Sequence, residues 1–165
     1  QLIGASIEKA VLDGKDVEAR GAMLLGSMLA GQAFANSPVA AVHALAYPIG
    51  GTFHVPHGLS NALVLPHVLC FNAPDAAHLY AEIATDAFPR LAQEEGVQGR
   101  CAAFIEELAS LSKRLGLQPR LRDVGIGEEH LKKMAADAMK QQRLLVNNPR
   151  NVSEPDALAI YRAAW

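Results

Sequence analysis

Cysteine is scarce in this chain of 165 residues: Cys70 and Cys101 stand far apart and form no CxxC pair. That argues against a disulfide scaffold and a thiolate metal site, and it points to a reducing compartment. Aromatic residues are also few, at 5%, while alanine and leucine dominate the apolar half, a balance that favours helices over sheets. No block of basic residues occurs and the formal net charge is −2, which argues against a nucleic acid or an anionic membrane as partner. The most apolar stretch, residues 21–35, is too short to span a bilayer and is interrupted by Ser27 and Gln32. The start, QLIGASIEKA, has no basic region ahead of an apolar one and does not read as a signal peptide. The expected setting is cytoplasmic. There is no initiator Met, and Leu2, Ile3, Ile7, Ala10 and Val11 recur at helical spacing. Gln1 therefore reads as the middle of a helix whose earlier residues are missing.

What is present is a succession of helical patterns. The first ends at Asp13-Gly14. A second is expected from the cap Asp16 to about Ala35, with Gly21, Gly26, Ala30 and Gly31 leaving room for a neighbouring helix. A third is expected from about Val39 to Ile49, ended by Pro48 and Gly50-Gly51, with residues 51–56 as a loop. The almost wholly apolar stretch GLSNALVLPHVLCFN follows. It predicts the most buried helix, kinked or broken at Pro66. Separate helices are expected from Pro74-Asp75 to about Ala87, over 98–115 up to Gly116, and after Ile126-Gly127-Glu128. Ser153 with Asp156 three residues on makes a capping-box-like start to a last helix, with Pro155 in its first turn. No alternating strand pattern of useful length occurs. The expected fold is all-α, a helical bundle forming one domain over 1–165.

Four of the six histidines, His43, His54, His57 and His67, crowd into residues 43–67. Imidazole is the commonest neutral metal ligand, so the cluster invites a metal site. Spacing alone does not decide it, since His43 and His57 lie on two helices and are not an i, i+4 pair. What raises these two is position: each sits on an apolar helix, where an unpartnered imidazole is costly. On the residues alone, a core histidine bonded to a backbone carbonyl is the leading explanation of both. His54 falls in the loop and is expected to face solvent, and His67 follows Pro66 and is expected to fill a backbone bond there.

The run AGQAFANSPVAAVHALAYPIGGTFHVPHGLSNALVLPHVLCFN resembles the signature region of the iron-containing alcohol dehydrogenases. The helix ending AGQAF, the His, the Gly-Gly loop, PHG, NALVLPHV and FN all agree. The tail NNPR before a short helix is similar too, so the resemblance covers essentially the whole chain. It implies a C-terminal helical domain that holds one divalent metal, Fe2+ or Zn2+, through one Asp and three His. Two of those histidines match His43 and His57. The Asp and the third His come from a helix upstream of this chain, and no Asp-x-x-x-His pattern occurs in residues 1–42.

The resemblance further implies interconversion of a small alcohol and an aldehyde or ketone with NAD or NADP. The complete enzyme would be a homodimer, with a nucleotide-binding domain that this chain does not contain. Tyr47 stands where many relatives carry a second His thought to move the proton; it also reads as ordinary packing. Phe34 corresponds to a residue lining the substrate cavity, or to plain helix packing. Maleylacetate reductases usually have PHAxxH where this chain has PHGLSN, which makes that activity the second reading. A non-enzymatic helical module with structural histidines is the third. With half a ligand set, the chain by itself is expected to be inactive.

Overall fold

The computed structural model describes residues 1–165. The all-α class holds. The helices are α1 (Leu2–Leu12), α2 (Val17–Asn36), α3 (Ala41–Phe53), α4 (His57–Ala87), α5 (Gly96–Arg114), α6 (Leu131–Ala138), α7 (Gln142–Leu145) and α8 (Glu154–Ala164), with short 3₁₀ turns and no strand. No helix is long and apolar enough to cross a membrane. The chain divides into two compact units, residues 1–38 with 76–104 and residues 39–75 with 105–165.

In the first unit the sequence signals act locally. The Asp16 carboxylate accepts from the Ala19 amide at 2.7 Å and starts α2. That bond and the Lys9 ammonium at 2.6 Å hold the Asp16 carboxyl below the usual range. Small residues then set the packing of α1. A Cβ at Gly4 would lie 2.1 Å from the Ala87 carbonyl oxygen, and one at Gly26 would lie 2.7 Å from the Ile3 side chain. Ala76, Ala77, Ala81, Ala84, Phe88 and Phe104 fill the interior, with the Phe88 and Phe104 rings tilted at 6.1 Å.

The second unit is built on α3, the first half of α4, and α6 to α8. Leu45, Ile49, Val64, Val68, Leu121, Ile126, Leu131 and Tyr161 form its fully buried centre. The capping box at Ser153 is formed as expected: its side chain accepts from the Asp156 amide while Asp156 accepts from the Ser153 amide.

Three expectations about helix ends are corrected. α3 does not stop at Pro48 or at Gly50-Gly51 but continues to Phe53, where His54 takes the left-handed conformation, φ 56°. Residues 51–53 are therefore helix and only 54–56 are loop. α4 is not broken at Pro66 and does not restart at Pro74; both prolines lie inside one helix. A proline inside a helix costs about 3 kcal/mol. Burying Leu63, Val64 and Val68 around Pro66 returns about 1.5–3 kcal/mol for each side chain, so packing wins.

Side chains from elsewhere in the chain also donate to helix carbonyls close to two of these prolines. Pro48 has no N–H for the Ala44 carbonyl, and the Tyr161 hydroxyl donates at 2.6 Å to the adjacent Leu45 carbonyl. Pro74 repeats the pattern: Arg150 Nη1 donates at 2.8 Å to the Phe71 carbonyl and its guanidinium lies 4.3 Å over the Phe71 ring. Asn72 and Asn148 exchange amide bonds at 3.0 and 2.7 Å beside it. The FN and NNPR motifs are thus two halves of one clasp.

Two stability outcomes follow. Tyr161→Phe keeps the ring packing but leaves the Leu45 carbonyl without that donor, and should lower unfolding free energy by about 1–3 kcal/mol in urea titrations. Gly4→Ala should destabilise in the same assay by about 1–3 kcal/mol through overpacking. Gly31→Ala meets nothing within 4 Å and should stabilise by about 0.5–1 kcal/mol through helix propensity alone.

Candidate metal centre

The loop between α3 and α4 is short and tightly held. The Ser60 hydroxyl, itself buried, lies 3.1 Å from both the Val55 and the Pro56 carbonyl oxygens. Gly50 leaves space where a Cβ would sit 3.4 Å from the Val55 carbonyl oxygen. The His54 amide bonds back to the Gly50 carbonyl at 3.1 Å. These contacts turn the chain through three residues and set His57 at the start of α4 facing His43 in the first turn of α3.

The two imidazoles meet, with ring centroids 5.3 Å apart and planes at 54°. A divalent ion bound tetrahedrally through two imidazole nitrogens at 2.0–2.1 Å places the ring centroids about 5 Å apart. The observed pair fits that requirement. His43 is half-buried; burial first, then the nearby His57, pushes its pKa below the ordinary 6.5. A neutral ring is the form that binds metal. No third His, Cys, Asp or Glu joins the pair into a larger metal-binding group, so this chain offers two donors.

His57 departs from its expectation. It is exposed rather than buried, because the first turn of α4 lies outside the packed stretch that begins at Ser60. Its polar partner is instead one helical turn on: Asn61 Nδ2 lies 3.0 Å from His57 Nε2 and 3.1 Å from the His57 carbonyl oxygen. Asn61 was not among the expected site residues, although its i+4 position from His57 puts both on one helix face. The Asn61 Oδ1 is buried and has no partner.

Tyr47 is on α3 one turn after His43 and is 41% exposed, beside a recess of about 230 Å³ lined also by Pro48, Thr52, Asp137 and Lys140. Lys133 and Lys140 hold the Asp137 carboxyl down to about 2. Phe34 belongs to the first unit, near the end of α2, and is 57% exposed. His54 is exposed and caps α3. His67 is half-buried in α4, and burial alone pushes its pKa below 6.5.

The whole chain, residues 1–165, matches the family described as Fe-containing alcohol dehydrogenase, C-terminal. It is 41% identical over 167 residues to long-chain-alcohol dehydrogenase 1 of Geobacillus thermodenitrificans, covering 100% of this chain and 42% of that protein. Lactaldehyde reductase of Escherichia coli K12 is 32% identical with the same coverages. The solved structure of a 1,3-propanediol oxidoreductase superposes with TM-score 0.94 at 34% identity, over 99% of this chain and 42% of that one. An alcohol dehydrogenase from Oenococcus oeni does so at 0.93 and 30% identity, again over 99% and 42%. The chain belongs to the iron-containing alcohol dehydrogenase family. It spans well under half the length of the relatives it matches.

The depressed His67 and His43 values set the sign of a pH effect. Above about pH 7 these rings are neutral whether folded or unfolded, so no stability is lost. As pH falls below 6.5, the unfolded chain takes up protons first and the folded state weakens until pH passes the folded values. The urea midpoint of the metal-free chain should therefore drop between about pH 7.5 and 5.5. His67→Gln should flatten that slope, leaving the part due to His43.

Proposed function

We propose that this chain is the metal-binding part of an oxidoreductase that interconverts an alcohol and an aldehyde or ketone, by hydride transfer with NAD or NADP. The observation that carries the reading is the His43–His57 pair at 5.3 Å in a chain matched end to end by the family. His43 and His57 would hold a divalent iron or zinc ion. Such an ion supplies Lewis acidity, lowering the pKa of an alcohol hydroxyl by several units and polarising a carbonyl. By affinity order zinc competes with iron for imidazole donors.

The chain's own residues take defined parts in this reading. The packed α3–α4 turn would hold the backbone of the two ligands in place, so loading would need little backbone reorganisation. Tyr47, one turn from His43 with an accessible phenol, is the candidate for moving a proton to solvent. Phe34 would form part of the substrate cavity wall. The remaining ligands and the nucleotide site would come from the rest of a complete homodimeric, cytoplasmic enzyme, and the 165-residue chain alone would be inactive.

Maleylacetate reduction is the weaker reading. A solved maleylacetate reductase from Agrobacterium tumefaciens shares the fold, with TM-score 0.80 at 23% identity, but Asn61 here stands where that activity's usual motif has a second His.

The test is metal analysis and alcohol oxidation assays on the complete enzyme and its His57→Ala variant. Loss of bound metal together with a fall in kcat/KM of at least about a hundredfold is expected, since even partners of metal ligands cost 10–100-fold. Unchanged metal content and activity would instead support a helical module with structural histidines. Turnover by the 165-residue chain alone would overturn the expected inactivity.

A further inference from the structure

We propose that Asn61 caps the Nε2 lone pair of His57 and holds that ring as the Nδ1–H tautomer, so that an ion binding at Nε2 must displace the Asn61 amide. The consequence for metal loading rests on the reading of His57 as a ligand; the tautomer assignment stands on the local geometry.

One amide nitrogen reaches two atoms of the same residue. Asn61 Nδ2 is 3.1 Å from the His57 carbonyl oxygen and 3.0 Å from His57 Nε2. A carbonyl oxygen only accepts, so the atom facing it is the NH₂ group, which has two hydrogens to give. The second hydrogen points at the ring nitrogen, which must then be the acceptor. The opposite amide orientation would set carbonyl oxygen against carbonyl oxygen. It would also put the NH₂ into the buried position where Oδ1 now has no partner. With Nε2 accepting, a neutral His57 carries its proton on Nδ1.

This arrangement differs from the usual support of a metal-bound histidine. There the second partner accepts from the ring nitrogen that does not touch the metal, fixing the tautomer from behind. Asn61 approaches as a donor, to the nitrogen whose lone pair is free for an ion. It therefore acts as a placeholder and orients His57 before loading. On loading at Nε2 the ring bond is exchanged for the metal, while the bond to the His57 carbonyl keeps the amide nearby.

The experiment is long-range 1H–15N NMR of the full 165-residue chain without metal, with His57 assigned by its loss in His57→Gln. The expected result is Nδ1–H for His57 in the parent. Asn61→Asp, nearly isosteric but only an acceptor when ionised, should turn His57 to Nε2–H. Asn61→Leu should release it from the Nδ1–H form. Nε2–H in the parent, or the same tautomer in all three proteins, would overturn the cap.

Zn2+ titration then reads the second half. Asn61→Leu should bind about two- to tenfold more tightly, the factor for one hydrogen bond no longer broken, and His43→Ala should weaken binding at His57. Weaker zinc binding by Asn61→Leu would make Asn61 a supporting partner and overturn the placeholder. Zinc leaving His57 unperturbed in every variant, with the tautomers as expected, would remove the ligand reading and leave the cap standing.

Discussion

A proline inside a helix leaves the carbonyl four residues earlier without its N–H, and beside two such openings the second unit is tied together by bonds from distant parts of the chain. Pro48 sits in α3 and Pro74 in α4, and in each case the carbonyl three residues earlier receives a donor from the C-terminal part of the chain. Tyr161 on α8 serves Leu45, and Arg150 before α8 serves Phe71. α3 runs past Pro48 through Ile49 to Phe53 and so leads into the turn that carries His57. The buried phenol is held in its neutral, donating form, since burial raises the Tyr161 pKa far above its usual range. A proton-donating tyrosine in the core is thus a structural device of the same standing as the apolar cluster around it.

From that constraint the site follows in short steps. Because α3 runs on to Phe53, only three residues remain to reverse the chain, and His54 takes a left-handed conformation that a non-glycine residue adopts at some cost. Ser60 compensates by giving its buried hydroxyl to the Val55 and Pro56 carbonyls. The tight reversal is what brings two imidazoles fourteen positions apart to 5.3 Å; a looser connection of the same composition would leave their separation undefined. The form of the turn and the separation of the two imidazoles therefore rest on the same few hydrogen bonds.

Local signals in the sequence were legible where their partners are local. The Asp16 cap, the Ser153–Asp156 capping box and the helical class all rest on residues within one turn of each other. The prolines misled for the opposite reason: the packing around them is tertiary, and the donors beside Pro48 and Pro74 lie 116 and 79 positions from the carbonyls they reach, which no window of sequence shows. The burial expected of His57 failed because apolar composition describes α4 as a whole, while its first turn projects out of the packed part. His43 and His57 were singled out by the pattern of residues around them, not by their spacing, which fits a core histidine as well. Asn61 was passed over because its meaning depends on a side-chain rotamer, although its place four residues after His57 on a helix was visible.

The two histidines are held in different ways, and this difference decides where metal binding would be controlled. His43 is half-buried on α3 among packed neighbours, and its burial favours the neutral ring. His57 is exposed, and the one side chain shown bonding its ring nitrogen is Asn61. A ligand oriented by packing is ready before the ion arrives, whereas a ligand oriented by a donor on its own lone pair must change partners as the ion binds. Under the ligand reading, the exchange of partners on loading would therefore take place at the start of α4. A change at residue 61 would alter metal affinity with little effect on the core. A change at Tyr161 would act instead on the core around Leu45.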